Sequence, residues 1–215
     1  MIGLKTVNDI SLCTSCIITA AKIIQNIQSD DNKYLNSIME NIFYILSNSE
    51  IDKSLKPISL NIISELFLSC KNQCFNYYEQ SMNFILSAMQ VSIYIDKLKD
   101  DDDIINYYYQ LRESIISSLT YIFNAVCEKN LQKDFIKYLY NIMKYINSIC
   151  LNDENEIILE ESLGLIIDFY NQYQTEMKKL IDLNVMDNIY NKLKYFSQIN
   201  GNDRLGNIIE YSKKN

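Results

Sequence analysis

The sequence predicts an all-α fold, and three observations support that prediction. Only one proline and four glycines occur in 215 residues, which leaves few turn signals for a sheet of many strands. Apolar residues make up 48% of the chain, a share that argues against a disordered chain. Along most of the sequence these residues recur at intervals of three and four, which is the period of an amphipathic helix. Long helices joined by short polar links are therefore predicted.

The clearest helix follows the acidic run 100–103. Its apolar stripe is formed by Tyr108, Leu111, Ile115, Leu119, Ile122 and Val126. We expect the stripe to be buried, and we expect the polar side chains between its members to be turned away: Arg112, Glu113, Ser117 and Asn124. Asp102 or Asp103 is expected to cap the helix, because a carboxylate opposes the partial positive charge of a helix N-terminus.

Further stripes before and after this helix predict a series of helical hairpins. Their boundaries are about 8–48, 54–98, 101–150 and 155–199, followed by a short terminal helix at about 202–211. Pro57 is expected in the first turn of a helix. In the last hairpin the two helices are 157–173 and 175–199, with a break near Asn184. Mid-helix Gly164 is expected at a close contact between helices, since glycine there costs about 1 kcal/mol relative to alanine.

The spacing of the hairpins is typical of a repeat. Their first helices begin near residues 8, 57, 103 and 156, at steps of about 49, 46 and 53 residues, whereas HEAT and armadillo repeats have periods of about 40 to 47 and tetratricopeptide repeats about 34. We therefore predict an α-solenoid of about four HEAT-type hairpins, with the terminal helix as a cap, in a single domain that spans the whole chain. A compact eight-helix bundle is the alternative, because hairpins with short links suit either packing.

Charge and composition narrow the class of partner. The formal net charge of -7 argues against nucleic acid and favours a basic or neutral protein partner. The N-terminus lacks the pattern of a signal peptide, and no run of about 18 apolar residues suggests a membrane span. We expect a soluble intracellular protein.

Residues typical of catalysis are scarce. The chain has no histidine, the commonest general base and metal ligand, and we find no glycine-rich phosphate loop and no nucleophile turn. Six cysteines, Cys13, Cys16, Cys70, Cys74, Cys127 and Cys150, leave a zinc module as an alternative. The pairs Cys13 with Cys16 and Cys70 with Cys74 lie at helical spacing in apolar stripes, which favours packing as small hydrophobic side chains. We predict no catalytic residue, no metal site and no cofactor.

Several short segments resemble a known family, and they occur in the same order as in that family. Lys56 and Pro57 open a helix whose partner begins with the aromatic run 75–78. The central helix carries Leu111, Arg112, Glu113 and Ser114. Later segments are Leu163, Gly164, Leu165, Ile166 and Asp168, followed by Lys179 and Leu180. From about residue 9 to the C-terminus, this collinear order resembles the C-terminal part of the importin-β family of nuclear import receptors.

The resemblance implies a non-enzymatic superhelix of HEAT repeats that acts in nuclear protein import. This chain would correspond to roughly the last four repeats, which implies a fragment or a truncated receptor without the family's main contacts to the GTPase Ran. The implied partners are the basic importin-β-binding helix of an importin-α adaptor, or a cargo, and Phe-Gly nucleoporins. The implied location is the cytoplasm and nucleus, including the nuclear envelope and pore. A helical-repeat scaffold of another pathway is the rival interpretation, since fold does not fix function.

In the resembled arch the second helix of each hairpin faces the concave, partner-binding side. The candidate partner-binding residues are mainly acidic. They lie on these second helices, in the acidic run before the central helix and in the terminal helix: Glu40, Glu79, Asp101, Asp102, Asp103, Asp134, Glu176 and Ile208. Ile208 stands at about the place where the family pattern has a tryptophan, and this chain has no tryptophan. For the run 100–103 a simple role as a solvated helix cap is the alternative.

Overall fold

A computed structural model of the chain describes residues 10–26, 32–93, 102–152, 155–181 and 183–200. Within these residues the secondary structure is helical and contains no strand, which confirms the predicted all-α fold. The α-helices are α1 (Ile10–Asn26), α2 (Asn32–Ser47), α3 (Leu55–Cys70), α4 (Tyr78–Ser92), α5 (Asp102–Glu128), α6 (Gln132–Asn152), α7 (Glu156–Leu180) and α8 (Leu183–Asn200). The predicted terminal helix at 202–211 lies outside the described residues.

The described helices form two compact units, α1 to α5 in unit 1 and α6 to α8 in unit 2. The two helices of the predicted hairpin 101–150 therefore belong to different units. The prediction that all the hairpins form one solenoid domain over the whole chain stays a prediction. The first helix of each predicted hairpin begins at Ile10, Leu55, Asp102 and Glu156, at steps of 45, 47 and 54 residues.

Unit 1 is organised around α3 and α5. Helix α3 packs along α5 over the most extensive helix contact in the described part of the chain, and it also contacts α1 and α2. Pro57 lies in the first turn of α3, as predicted, where its missing N–H breaks no hydrogen bond. In α5, five of the six predicted stripe residues are buried: Leu111, Ile115, Leu119, Ile122 and Val126. Tyr108, the sixth, is half-buried.

Serine side chains line the contact between α3 and α5. Ser64 Oγ lies 2.7 Å from Ser118 Oγ, and the Ser118 hydroxyl is also 2.6 Å from the Ser114 carbonyl oxygen and 3.1 Å from that of Leu60. All three serines are buried. Small side chains let two helices approach closely, and their hydroxyl groups are hydrogen-bonded instead of being buried without a partner.

The prediction that Arg112 turns away from the core is wrong. Arg112 is only 2% exposed, and its Nε and Nη2 atoms donate to the carbonyl oxygen of Ser92, at 3.2 and 2.9 Å. The reason is that α4 packs on α5 in addition to α3, so α5 has two buried faces where the sequence pattern suggested one. Asn124 is exposed, as predicted, whereas Glu113 and Ser117 are half-buried.

The connection between α3 and α4 is a 3₁₀ helix, Lys71–Tyr77, with no intervening loop. The sequence predicts that the second helix of this hairpin begins with the aromatic run 75–78. The 3₁₀ helix instead extends through Phe75 to Tyr77, and the α-helix begins at Tyr78. Tyr78 is buried, whereas Tyr77 is half-buried and reaches the surface.

Contacts near both ends of α6 hold unit 2 together. Phe135 of α6 and Phe169 of α7 pack with ring centroids 5.6 Å apart, and the Tyr173 hydroxyl donates to the Gln132 carbonyl oxygen at 2.7 Å. At the other end of α6, the side-chain amide of Asn188 in α8 donates to the Cys150 carbonyl oxygen at 2.8 Å. Helices α7 and α8 thus both contact α6.

The predicted end of a helix at Tyr173 is a kink. Helix α7 continues to Leu180, although Tyr173 has non-helical dihedral angles (φ -125°, ψ 40°). The break predicted near Asn184 lies a few residues earlier, because α7 ends at Leu180 and α8 starts at Leu183. Asn155 caps α7 by accepting hydrogen bonds from the N–H groups of Ile157 and Ile158, at 3.0 and 3.2 Å.

The expectation for Gly164 is also wrong. A Cβ atom added at this position would meet no atom within 4 Å, so no close helix contact requires glycine there. Gly164 is half-buried, and nothing in the structure explains why glycine stands at this position.

Candidate partner-binding surface

The acidic residues predicted to bind a partner are exposed wherever the structure describes them. Glu40 lies on α2, Glu79 in the first turn of α4, and Asp102 and Asp103 in the first turn of α5. Asp134 and Glu176 are exposed in unit 2. Asp101 and Ile208 lie outside the described residues.

Glu40 belongs to a polar and aromatic cluster between α2 and the 3₁₀ helix. The Tyr77 hydroxyl donates to Asn36 Oδ1, one helical turn before Glu40. Partial burial raises the pKa of Tyr77 above its usual value, and the negative charge of Glu40 adds to the shift. Glu79 follows Tyr77 by two residues at the start of α4. We call Asn36, Glu40, Tyr77 and Phe84 the α2–α4 surface. Glu79 is exposed at the start of α4, but residues two apart on a helix point in different directions, so it adjoins this surface and is not part of it.

Aromatic rings support this surface from below. The rings of Phe43 and Phe84 are stacked, with centroids 5.3 Å apart and an interplanar angle of 20°. Tyr77 packs against the same Phe43 ring at 6.1 Å. Phe43 is buried and Phe84 is half-buried. The surface therefore presents a carboxylate beside an aromatic ring, a combination that attracts the charged head and the apolar stem of lysine or arginine.

Asp102 and Asp103 lie close in sequence to a second polar cluster in unit 1. The Nζ atom of Lys53, in the loop before α3, lies 5.1 Å from the ring centroid of Tyr107. Burial is the main cause that raises the pKa of Tyr107, with smaller contributions from Tyr108 and Asp52. Lys53 thus lies beside the second turn of α5. The carboxylates of Asp102 and Asp103 stand in the first turn, where a helix N-terminus favours negative charge whether or not a protein partner binds.

Asp134 and Glu176 lie at the same end of unit 2. The Tyr173 hydroxyl of α7 contacts the carbonyl oxygen of Gln132 in α6. Asp134 lies two residues after Gln132, and Glu176 lies three residues after Tyr173. The helix end predicted at Tyr173 places Glu176 on the second helix of its hairpin. Glu176 lies on α7, the first helix of its hairpin, so its place in the predicted pattern is corrected.

The outer face of α6 is basic, a feature that the spacing of apolar residues does not reveal. Lys133, Lys137, Tyr140 and Lys144 follow one another at steps of three and four and are all exposed, Tyr140 to 61%. The same helical spacing that predicts apolar stripes would have found this face if it had been applied to lysine. In unit 2, Asp134 therefore stands next to lysines and not within an acidic surface.

The described residues contain no group of three or more cysteine, aspartate or glutamate side chains arranged to hold a metal ion. Cys74 and Cys150 are buried, as expected for small packing residues, whereas Cys16 is exposed and Cys70 is half-buried. In the same part of the chain, no helix has the length and apolarity needed to cross a membrane.

Comparison with known proteins decides the family. A family model described as importin subunit beta-1-like, TPR repeats matches residues 1–194. The chain belongs to this family. The resemblance inferred from the order of its segments is confirmed.

One curated relative of this importin subunit beta-1-like chain is importin subunit beta-1 of Arabidopsis thaliana. The two are 20% identical over 184 residues, which are 85% of this chain and 21% of the relative. The chain thus spans about a fifth of the length of that relative. Although the family description speaks of TPR repeats, the first helices here begin 45, 47 and 54 residues apart, further than the period of about 34 that tetratricopeptide repeats have.

Proposed function

We propose that this chain is a non-enzymatic module of a nuclear transport receptor that binds a basic helix, such as the importin-β-binding helix of an importin-α adaptor or a basic cargo. The observation that carries the proposal is the family match over residues 1–194. Such a role places the protein in the cytoplasm and nucleus, including the nuclear pore. A scaffold of another pathway is the rival, and it requires no affinity for a basic helix.

The α2–α4 surface is the part of unit 1 that we assign to this partner. Glu40 supplies negative charge beside Tyr77, whose aromatic ring is offered to a lysine or arginine. The exposed Glu79 adds negative charge next to this surface, at the start of α4. An exposed ion pair contributes about 0 to 1 kcal/mol, so two carboxylates alone would not give tight binding. Further contacts, including apolar contacts around Phe84, have to contribute, and electrostatic attraction would mainly speed the encounter.

Unit 2 is assigned a minor role in binding the basic helix. The lysines on the outer face of α6 would repel it, and Asp134 is the one acidic side chain among the residues of α6, Gln132–Asn152. Glu176 is followed closely by Lys178 and Lys179. We therefore propose that the affinity for a basic helix resides in unit 1.

Phe-Gly nucleoporins are a second proposed partner. The aromatic cluster of Phe43, Tyr77 and Phe84 favours this candidate, since an incoming phenylalanine could add to rings that are already packed at 5.3 and 6.1 Å. Binding of this kind depends on apolar contact and should be much less sensitive to salt than binding of a basic helix.

The proposal is tested by titrating a fluorescently labelled basic importin-β-binding peptide with the purified chain at low and at high salt. We expect saturable binding at low salt that weakens at high salt, and no binding of a control peptide whose lysines and arginines are replaced by glutamine. A helical circular dichroism spectrum establishes that the chain is folded. Absence of binding to the basic peptide by the folded chain at low salt would contradict the proposal and favour the scaffold interpretation.

A further inference from the structure

We propose that Cys70 and Cys74 form a reversible intramolecular disulfide when the chain meets a mild oxidant such as a peroxide. This inference is independent of the proposed transport function. It concerns the connection between α3 and α4, where the sequence Cys-Lys-Asn-Gln-Cys spans the end of one helix and the beginning of the 3₁₀ helix.

The fold brings the two thiols together. Cys70 is the last residue of α3 and is half-buried, whereas Cys74 lies inside the 3₁₀ helix and is fully buried. The Sγ atom of Cys74 is 3.2 Å from the carbonyl oxygen of Leu66, which lies one helical turn before Cys70. Cys74 is thereby turned back onto the last turn of α3, and its side chain is hydrogen-bonded to that of Cys70.

The surroundings give the two sulfurs different roles. The hydrogen bond from Cys74 lowers the pKa of the Cys70 thiol, and Cys70 is the one that solvent reaches. The same hydrogen bond, together with burial, raises the pKa of the Cys74 thiol. A thiolate is the nucleophile in thiol oxidation, so Cys70 is the sulfur that reacts first and Cys74 is the resolving partner.

The reaction balances with one peroxide. The Cys70 thiolate attacks a peroxide oxygen, the O–O bond breaks, and the leaving hydroxide takes up a proton to become water, which leaves Cys70 as a sulfenic acid. The sulfur of Cys74 then attacks Cys70 Sγ as its proton is lost, the S–O bond breaks, and a second water is released. Two thiols are oxidised to one disulfide while the peroxide is reduced to two waters.

The product would tie the end of α3 to the 3₁₀ helix. That helix also carries Tyr77, so the modification site adjoins the α2–α4 surface. The disulfide changes no charge, and its chemistry can be followed without any binding partner.

Tryptic mapping gives a direct test on the full chain. Trypsin cleaves after Lys53, Lys71 and Lys97 but not between Lys56 and Pro57, so Cys70 and Cys74 fall on separate peptides, 54–71 and 72–97. After treatment with equimolar hydrogen peroxide, alkylation of the remaining thiols and digestion without reductant, we expect these two peptides to be joined. Their joined mass should be two hydrogen atoms below the sum of the separate peptides, and dithiothreitol should separate them.

Matched variants test which cysteines form the disulfide. Cys70→Ser should abolish the joined peptide, and Cys127→Ser should leave it unchanged. Blocking Cys70 of the wild-type chain with iodoacetamide before oxidation should also abolish it, and this control does not depend on how a variant folds. Mixing unlabelled and ¹⁵N-labelled chains should yield no mixed pair. The proposal is overturned if Cys16 is oxidised while peptides 54–71 and 72–97 stay separate, or if the joined peptides are of mixed isotope.

Discussion

At the scale of single residues, Arg112 connects two helices of unit 1. Its guanidinium group donates two hydrogen bonds to the carbonyl oxygen of Ser92, the last residue of α4. That oxygen lies at the negative end of the helix, where a positive charge is favourable. The family resemblance includes Arg112, Glu113 and Ser114, and two of these three side chains turn out to be buried packing residues.

Replacement of Arg112 by alanine should destabilise unit 1. We expect the free energy of unfolding to fall by about 2 to 4 kcal/mol, because packing of the buried stem and two charge-assisted hydrogen bonds are lost together. Urea unfolding followed by circular dichroism measures the change. The matched control is Lys133→Ala at an exposed position of α6, where we expect a change within about 0.5 kcal/mol. An equally small change for Arg112→Ala would contradict the role given to this side chain.

Asn130 marks the end of α5 through its backbone conformation. Its φ of 58° is in the left-handed region, which glycine adopts without strain and which costs most other residues about 1 to 2 kcal/mol. Asn130→Gly should therefore be more stable than Asn130→Ala by about 1 kcal/mol. Asn106, exposed within α5, provides the control, because there the order should reverse and alanine should be favoured by about 1 kcal/mol. The same order at both sites would refute the explanation.

Asp168 should make stability depend on pH. Burial raises the pKa of its carboxyl group above the usual value, so the folded chain binds this proton more readily than the unfolded chain. The sign of the linkage follows: stability falls as pH rises from about 3.9 through the folded pKa and stays lower above it. Asp168→Asn should remove this penalty and raise the free energy of unfolding at neutral pH, by roughly 0.5 kcal/mol at most because the side chain is half-exposed.

The measurement for Asp168 is urea unfolding of the wild type and the variant at several pH values. The advantage of Asp168→Asn should shrink as pH is lowered through the carboxyl range. A gain that is the same at every pH would show that ionisation of Asp168 is not its cause.

Residue patterns predicted the apolar core well and the buried polar groups poorly. Leu111, Ile115 and Leu119 were predictable because apolar spacing directly reports a buried face. Arg112 and Ser118 were not, because a polar side chain is buried only when a particular neighbour satisfies its hydrogen bonds. Those neighbours, Ser92 and Ser64, lie 20 and 54 residues away in the sequence, a separation over which helical periodicity carries no information.

At the scale of the helices, the contact between α3 and α5 determines how unit 1 is packed. Ser64 and Ser118 meet where the two helices approach. Ser118→Ala should cost about 1 kcal/mol, and a double-mutant cycle with Ser64→Ala should show coupling of similar size, about 0.5 to 1.5 kcal/mol. Ser118→Leu should lower the free energy of unfolding by about 1 to 3 kcal/mol, because a larger side chain forces the helices apart.

Chemical denaturation of the single and double variants measures these changes. Ser87→Leu, at an exposed position of α4, is the matched control and should change stability by less than about 0.5 kcal/mol. A tolerated leucine at Ser118, or zero coupling in the cycle, would mean that the serine contact does not determine helix spacing.

Helix ends were predicted less accurately than helix interiors. The sequence suggested a helix end at Tyr173, but the structure has a kink there, at the residue whose hydroxyl donates to the Gln132 carbonyl oxygen on another helix. The 3₁₀ helix between α3 and α4 was not predicted, since its polar residues Lys71 and Asn72 are typical of a loop. The contact at Tyr173 comes from another helix, so the local sequence could not predict it.

At the scale of the whole molecule, the excess of acidic over basic side chains is larger in the first part of the chain than in the second. Residues 1–129 carry 15 acidic and 10 basic side chains, whereas residues 130–215 carry 12 and 10. The exposure of Glu40, Glu79 and Asp134 could be predicted, because isolated charged side chains are rarely buried. The position of Tyr77 beside Glu40 could be seen only in the fold. The lysines that share a face of α6 could have been found in the sequence, but only by applying helical spacing to lysine as well as to apolar residues.

The central claim is that the importin subunit beta-1-like chain binds a basic helix through unit 1. The most direct test compares two charge-reversal variants by fluorescence anisotropy with a labelled basic helical peptide at low salt. Glu40→Lys combined with Glu79→Lys should weaken binding at least about tenfold, which corresponds to about 1.4 kcal/mol. Asp134→Lys combined with Glu176→Lys makes the same change of charge in unit 2 and should alter the affinity less than about threefold. Equal weakening by both variants, or no weakening by the first, would contradict the claim.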